Sequence, residues 1–166
     1  MKTLVVFYSR TGNTSLVASK IAALLNADTD RILTPQGYDG SLGFVRGVLH
    51  SLGDRRVAIA PPKITPASYD LVVIGGPVWA GRAANPVRTY LRQFGDTFKQ
   101  VAYFVTLGGA SAEKALAHME IVTGKRPIAT LAVTQKDIAS GNYDLAARDF
   151  ARSLQQTAGQ RAAEVA

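Results

Sequence analysis

Ser9-Arg10-Thr11-Gly12-Asn13-Thr14 stands directly between the apolar run Leu4-Val5-Val6-Phe7-Tyr8 and a helical pattern that begins at Ser15. The order predicts a strand, a short hydroxyl-rich loop and a helix N-terminus with nothing between them. The first-turn N–H groups of a helix lack intrahelical partners, and the helix dipole there favours negative charge. A loop in this position is a ready anion site. Ser9, Thr11 and Thr14 add hydroxyl donors, Asn13 adds an amide, and Gly12 lets the backbone turn and approach a ligand. Many short donors with little formal charge suit a terminal phosphate.

Other phosphate loops fit worse. The Walker pattern needs a Lys-Ser/Thr pair after its last glycine, and none follows Gly12. The dinucleotide pattern needs three glycines against a pyrophosphate and an acid at the end of the second strand. This loop has one glycine, and the second strand ends in Leu33-Thr34.

Outward from the loop, the pattern alternates. Strand one covers Thr3 to Tyr8 and is apolar on both faces, as a central parallel strand is. Helix one runs from Asn13 to Leu25, with Val17, Ile21, Leu24 and Leu25 at helical spacing. A short second strand near Asp30 to Leu33 is polar at its start, which fits a sheet edge. Leu42, Val45, Val48, Leu49 and Leu52 again have helical spacing, interrupted by Gly43 and Gly47. Residues 35–69 therefore read either as a second helix or as a cover over a ligand. Strand three is Leu71 to Ile74 and leads into Gly75-Gly76-Pro77-Val78-Trp79-Ala80-Gly81-Arg82. A third helix starts with Asn85 as N-cap and Pro86 at its first position, a favoured pairing. Strand four is Val101 to Val105 and ends in Thr106-Leu107-Gly108-Gly109. A helix from Ala112 to Thr123, a fifth strand from Ile128 to Val133 and a last helix from Tyr143 to Gln156 complete the pattern.

Such alternation predicts an open α/β sheet with right-handed crossovers. In these sheets ligands bind at the carboxyl ends of the strands. The loops after strands one, three and four all carry unusual chemistry, so three loops are expected to meet one ligand. Trp79, between glycines and ahead of a helix start, reads as an exposed aromatic able to stack on a flat ring. Thr106, Gly108 and Gly109 leave backbone N–H groups for the polar rim of a heterocycle.

Length and composition set the limits. The chain has 166 residues, 47% of them hydrophobic, which suits one domain with a real core. It contains no cysteine, so disulfides, thiolate metal sites and thiol redox chemistry are excluded. Any redox function has to come from a bound cofactor. The N-terminus does not read as a signal sequence and no apolar run reaches membrane-spanning length, so a cytoplasmic location is expected. The net charge is +7, with basic residues scattered except at Arg55-Arg56 and Lys125-Arg126. No basic stripe interleaved with aromatics points to nucleic acid. His50 and His118 lack metal-ligand spacing. A receiver-type signalling domain needs clustered acids after strands one and three, where this chain has Tyr8-Ser9 and Gly75-Gly76. A nucleophile elbow of the form G-x-S-x-G is absent.

The phosphate loop, tryptophan loop and glycine loop, in this order, resemble the flavodoxin family. Thr11-Gly12-Asn13-Thr14 with Ser9 is similar to the family's FMN phosphate motif, and the resemblance extends to about Leu154. It implies a flavodoxin-like, doubly wound, five-stranded parallel sheet of order 2-1-3-4-5 with helices on both faces. One FMN-binding domain would then span residues 1–158, with a frayed tail over 159–166. By the same resemblance Ser9, Arg10, Thr11, Gly12, Asn13 and Thr14 would hold the FMN phosphate. Pro77, Val78, Trp79, Ala80 and Gly81 would lie against the isoalloxazine, with Trp79 stacked on it. Thr106, Leu107, Gly108 and Gly109 would face its pyrimidine end through main-chain bonds.

Two features depart from the electron-carrier members. Those are usually acidic, and they tend to place an aromatic in the loop after strand four. This chain is basic and has Thr-Leu-Gly-Gly-Ala there, which is closer to the flavodoxin-like quinone reductases. The expected function is electron transfer through non-covalent FMN to a redox partner protein. The alternatives are an NAD(P)H-dependent quinone or flavin-type reductase and a flavin-free phosphate-binding module.

Overall fold

Leu4, Val6 and Tyr8 point to one face of the first strand, and Val5 and Phe7 to the other. Side chains alternate across a strand, so a run that is apolar throughout demands cover on both sides. The computed structural model, which describes residues 1–35, 57–109 and 111–164, supplies it. The strand β1 (Thr3–Phe7) is followed by α1 (Asn13–Leu25) and β2 (Asp28–Arg31). Next come β3 (Leu71–Trp79), β4 (Arg82–Ala83), α2 (Asn85–Phe94), β5 (Val101–Leu107) and α3 (Ala112–Thr123). The chain ends with β6 (Thr130–Thr134), α4 (Gln135–Ser140) and α5 (Tyr143–Glu164). The helical pattern through Leu42 to Leu52, with His50, lies outside the described residues.

The five long strands are parallel in the order β2-β1-β3-β5-β6. Numbered by themselves they give the expected 2-1-3-4-5. The addition is β4, a two-residue strand antiparallel to the end of β3. One core layer joins Leu4, Val72, Ile74, Tyr103 and Val105 of the sheet to Val87 and Leu91 of α2 and to Ala115 and Met119 of α3. The opposite layer joins Val5, Val73, Phe104 and Val133 to Val17 and Ile21 of α1 and to Ala147, Phe150 and Leu154 of α5. Full burial of each large side chain contributes roughly 1.5–3 kcal/mol.

Several boundaries differ from the sequence reading, each for a local reason. β2 sits two residues earlier than Asp30–Leu33, because Asn26 closes α1 in the left-handed conformation and Asp28 already pairs with Leu4. It is the edge strand expected. The buried carboxylate of Asp30 accepts hydrogen bonds from Lys63 N–H at 2.9 Å and Ile64 N–H at 3.2 Å. Ala60 N–H donates to Leu33 C=O at 2.8 Å, so an extended connection covers the edge.

β3 does not stop at Ile74. It runs through Gly75-Gly76 to Trp79. A Cβ on Gly75 would lie 2.2 Å from the Phe104 carbonyl oxygen, and one on Gly76 would lie 2.5 Å from Val87 Cγ2. The glycines belong to the strand because its neighbours press close there.

Asn85 is not the N-cap of α2. Ala84 takes that place, and Asn85 is the first helical residue. The Asn85 side-chain oxygen accepts instead from the Arg88 guanidinium, and both residues are buried. β6 starts at Thr130 rather than Ile128, and α4, which the sequence reading does not contain, follows it directly. The last helix continues to Glu164, past the expected end at Gln156.

Candidate functional site

The chain leaves β1 at Phe7 and enters α1 at Asn13 through Gly12, whose φ of 96° is left-handed. Glycine takes that conformation without the Cβ penalty other residues meet. No side chain caps α1 from the Gly12 position. Ser9 reaches across instead, and its Oγ accepts the Ser15 N–H at 3.1 Å. Arg31 at the end of β2 donates to the Ser9 carbonyl at 2.9 Å, which ties the loop to the neighbouring strand. Among the described residues nothing accepts from the N–H groups of Asn13 and Thr14. The first turn of α1 carries no acidic residue. This end of the helix therefore presents free donors and the positive end of its dipole to whatever lies in front of it.

The second wall comes from the extension of β3. Trp79 pairs with Arg82, and Ala80-Gly81 form the two-residue turn between them, with φ of 50° and 74°. Positive φ at both central residues is the hairpin turn that matches strand twist. Trp79 is not the exposed aromatic that its glycine-flanked position suggests. It is 4% exposed, with its ring edge-on to Tyr8 at a centroid distance of 5.7 Å and an interplanar angle of 88°. The strand carries the side chain back over the sheet, where Tyr8 receives it.

The third wall is the end of β5. Thr106 pairs with Pro77 on one side and Val133 on the other. Its hydroxyl lies 2.7 Å from that of Thr14, so the start of α1 and the end of β5 are joined by a buried side-chain hydrogen bond. Gly108 sits under Gln135, the first residue of α4: a Cβ on Gly108 would be 3.6 Å from the Gln135 amide carbon. The start of α4 is fixed by a capping box. Thr134 Oγ1 accepts the Asp137 N–H at 3.1 Å, and the Asp137 carboxylate accepts the Thr134 N–H at 2.9 Å. The Thr134 hydroxyl and N–H bonds hold the Asp137 carboxyl below its ordinary pKa.

Together these walls enclose a cleft of about 210 Å³ at the carboxyl edge of the sheet. Arg10, Thr11, Asn13 and Thr14 line one side, Pro77, Val78 and Trp79 a second, and Thr106, Leu107 and Gly108 a third. Among the described residues no carboxylate lines the cleft. Ser9 and Gly12 stand behind the lining and shape the loop. Ala80 and Gly81 form the turn beyond it, and Gly109 lies past Gly108 with open space around its Cα. Gln135 also lines the cleft and was missed. The signal that points to it is Thr134-x-x-Asp137, a helix-start pattern directly after a strand. One end of the cleft offers amide and hydroxyl donors to an anion, and the other is walled by proline, valine and tryptophan. A flat molecule with a terminal phosphate fits this set of donors and walls.

The flavodoxin sequence model matches residues 2–132. Among solved structures, a flavoprotein of Lactobacillus acidophilus in complex with FMN is 26% identical, with a TM-score of 0.70 over 84% of this chain and 97% of that one. Two-electron reduced Megasphaera elsdenii flavodoxin is 18% identical, with a TM-score of 0.57 over 90% of this chain and 98% of that one. Among curated protein sequences none is significantly similar to this chain. Among the described residues no helix is long and apolar enough to cross a membrane, and no cluster of His, Asp or Glu could hold a metal ion.

Proposed function

We propose that this chain, which belongs to the flavodoxin family, transfers electrons through a non-covalently bound FMN. The cofactor is FMN: the family and the donor set of the cleft agree on a flavin ending in a single phosphate. FMN supplies the redox chemistry when bound, and the protein supplies binding, orientation and electrostatics. The observation that carries the reading is the junction of two unlike environments in one cleft. The open N-terminus of α1 with its hydroxyls faces one end, and the Pro77-Val78-Trp79 wall flanks the other. In this proposal Ser9 to Thr14 hold the phosphate, Pro77 to Gly81 lie along the ring, and Thr106 to Gly109 meet its pyrimidine rim. The partner is a redox protein, and the expected cytoplasmic location remains part of the proposal.

A second reading has its own observation. Among the described residues no aromatic lines the cleft beside Gly108, and a Cβ on Gly109 would meet none of them within 4 Å. An open ring face admits a nicotinamide donor or a quinone, and the +7 charge attracts an anionic donor at a rate that falls as salt rises.

Cofactor extraction after purification, compared with FMN and FAD standards, tests the first reading. FAD, or no flavin even after reconstitution, refutes it and favours a flavin-free phosphate binder. NAD(P)H oxidation supported by a quinone and slowed by salt selects the reductase. Reduction by stoichiometric electrons with negligible NAD(P)H turnover selects the carrier.

A further inference from the structure

We propose that Thr106 is a positioning residue of the phosphate subsite, whose hydroxyl donates to Thr14 Oγ1 and leaves the Thr14 proton for the anion. The inference rests on the FMN reading above and gives Thr106 a side-chain role in place of the main-chain contact at the pyrimidine rim. The two hydroxyl oxygens are 2.7 Å apart, and both residues are buried, Thr14 at 2% and Thr106 at 4% exposure. They come from two adjoining walls of the cleft and are separated by 92 positions in sequence. Both line the cleft.

A hydroxyl has one proton to donate and two lone pairs to accept with. Within the pair, only one of the two protons lies between the oxygens. If Thr14 donates to Thr106, its proton is taken, and Thr14 turns lone pairs toward a phosphate dianion. That arrangement is repulsive. If Thr106 donates to Thr14, the Thr14 proton is free to point at the phosphate. Among the described residues neither hydroxyl has another hydrogen-bond partner, so both directions are open until an anion selects the second. The change requires rotation of two hydroxyls and no movement of the backbone. A chain of hydroxyls running from Thr106 through Thr14 to the anion also polarises along its length, which strengthens the terminal bond. Among the described residues no acid lines the cleft to compete for the Thr14 proton.

The test is the ratio of FMN to riboflavin affinity, read by quenching of flavin fluorescence, in wild type, Thr106→Val and Thr106→Ser. Riboflavin has the ring without the phosphate, so a packing defect affects both ligands and an orientation defect affects FMN alone. Loss of one neutral hydrogen bond's net worth predicts FMN weakened about 3- to 10-fold in Thr106→Val, with riboflavin within about 2-fold of wild type. Thr106→Ser keeps the hydroxyl and should restore the wild-type ratio. If Thr106→Val does not fold, Thr106→Ala against Thr106→Ser makes the same comparison. Equal losses for the two flavins, an unchanged ratio, or a serine variant that behaves like valine each overturn the proposal. A wild-type chain that binds neither flavin overturns the FMN reading and this inference together. A wild type that binds FMN, with variants that shift both flavins equally, overturns this inference alone.

Discussion

Trp79 is the residue whose substitution separates packing from ligand contact. It is 4% exposed and belongs to the same core layer as Tyr8, Ala83 and Val87. Truncating a buried tryptophan to alanine typically costs about 3–5 kcal/mol, a large share of the roughly 5–15 kcal/mol that holds a domain folded. Part of that loss is the edge-on contact with Tyr8, since aromatic pairs contribute about 0.5–1.5 kcal/mol beyond area burial. Trp79→Ala is therefore expected to lower the urea midpoint of the flavin-free protein steeply. Trp79→Phe keeps a ring against Tyr8 and should lose much less. Binding is read separately, by FMN titration under conditions where each variant is folded. If the indole also lies against the flavin, removing it in Trp79→Ala should weaken FMN about 2- to 12-fold, the same pair energy converted at 1.4 kcal/mol per decade, and Trp79→Phe should weaken it less. The flavin absorption bands should shift with it. A Trp79→Ala loss below about 1 kcal/mol would refute the burial argument, since surface substitutions fall in that range. Normal FMN affinity and unchanged bands in folded Trp79→Ala would make Trp79 a core residue that does not touch the flavin.

A Cβ at Gly109 meets none of the described residues within 4 Å, so Gly109→Tyr is expected to fold and bind FMN; if NAD(P)H reaches the ring past this loop, its oxidation rate should fall more than FMN affinity, and an unaffected rate sends the donor elsewhere. Gly76→Ala would place its Cβ 2.5 Å from Val87 Cγ2, and overpacking of this kind costs about 1–3 kcal/mol in chemical denaturation; Val87→Ala should relieve part of it, and additive losses would refute the clash. Tyr69 donates to the Asp28 carboxylate at 2.6 Å, which together with burial raises its pKa to about 12. The folded chain holds that proton more tightly than the unfolded one, so its contribution is complete below pH 10 and is lost as pH rises toward 12. Burial also raises Tyr90 and Tyr103, so absorbance titration should show Tyr69 among the tyrosines that ionise late, and Asp28→Asn should move that one alone down. The Asp137 carboxyl is shifted the other way, so its capping contribution is present above the ordinary carboxylate range and is lost as pH falls through the lowered value. FMN affinity should weaken over the same acid range if α4 holds Gln135 in the site, and Asp137→Asn should abolish that dependence.

The architecture was legible because β1 and the start of β3 are apolar on both faces, which only a covered parallel sheet satisfies. The phosphate loop was legible because its donors are consecutive in sequence, and Gly12 marks the one backbone position that needs positive φ. What the sequence concealed is what depends on distant neighbours. Gly75-Gly76 reads as a loop by composition. It is strand because Phe104 and Val87, far along the chain, occupy the space where side chains would stand. The burial of Trp79 follows from that extension, and no local pattern reports it. The Thr14–Thr106 bond joins the first turn of α1 to the end of β5, invisible until the registers of β1 with β3 and of β3 with β5 bring them together. α4 was missed although its capping signal is present, because Thr134 also closes a strand and the helix after it has only six residues.

These long-range contacts decide how firmly the site is built. A tryptophan on a free loop would have to be ordered when ligand binds, at an entropic cost for each immobilised side chain. Here Val78 and Trp79 are held in a ladder with Ala83 and Arg82, and the Trp79 ring is already seated on Tyr8. The opposite wall is fixed by Ser9 on the Ser15 N–H and by Arg31 on the Ser9 carbonyl. The third wall is pinned to the first through the threonine pair and to α4 through the capping box. Each wall is thus tied to the sheet or to a helix terminus rather than left to a loop. Ala80 is the exception. It is exposed and holds a φ of 50° with no glycine's freedom. A left-handed non-glycine residue stores roughly 1–2 kcal/mol. Among the described residues, the one strained backbone position near the cleft is therefore in the turn that carries Trp79 into Arg82, beside the flavin-ring wall and away from the phosphate loop. Movement of the site on binding is expected to concentrate at Ala80-Gly81, while the anion end stays as built.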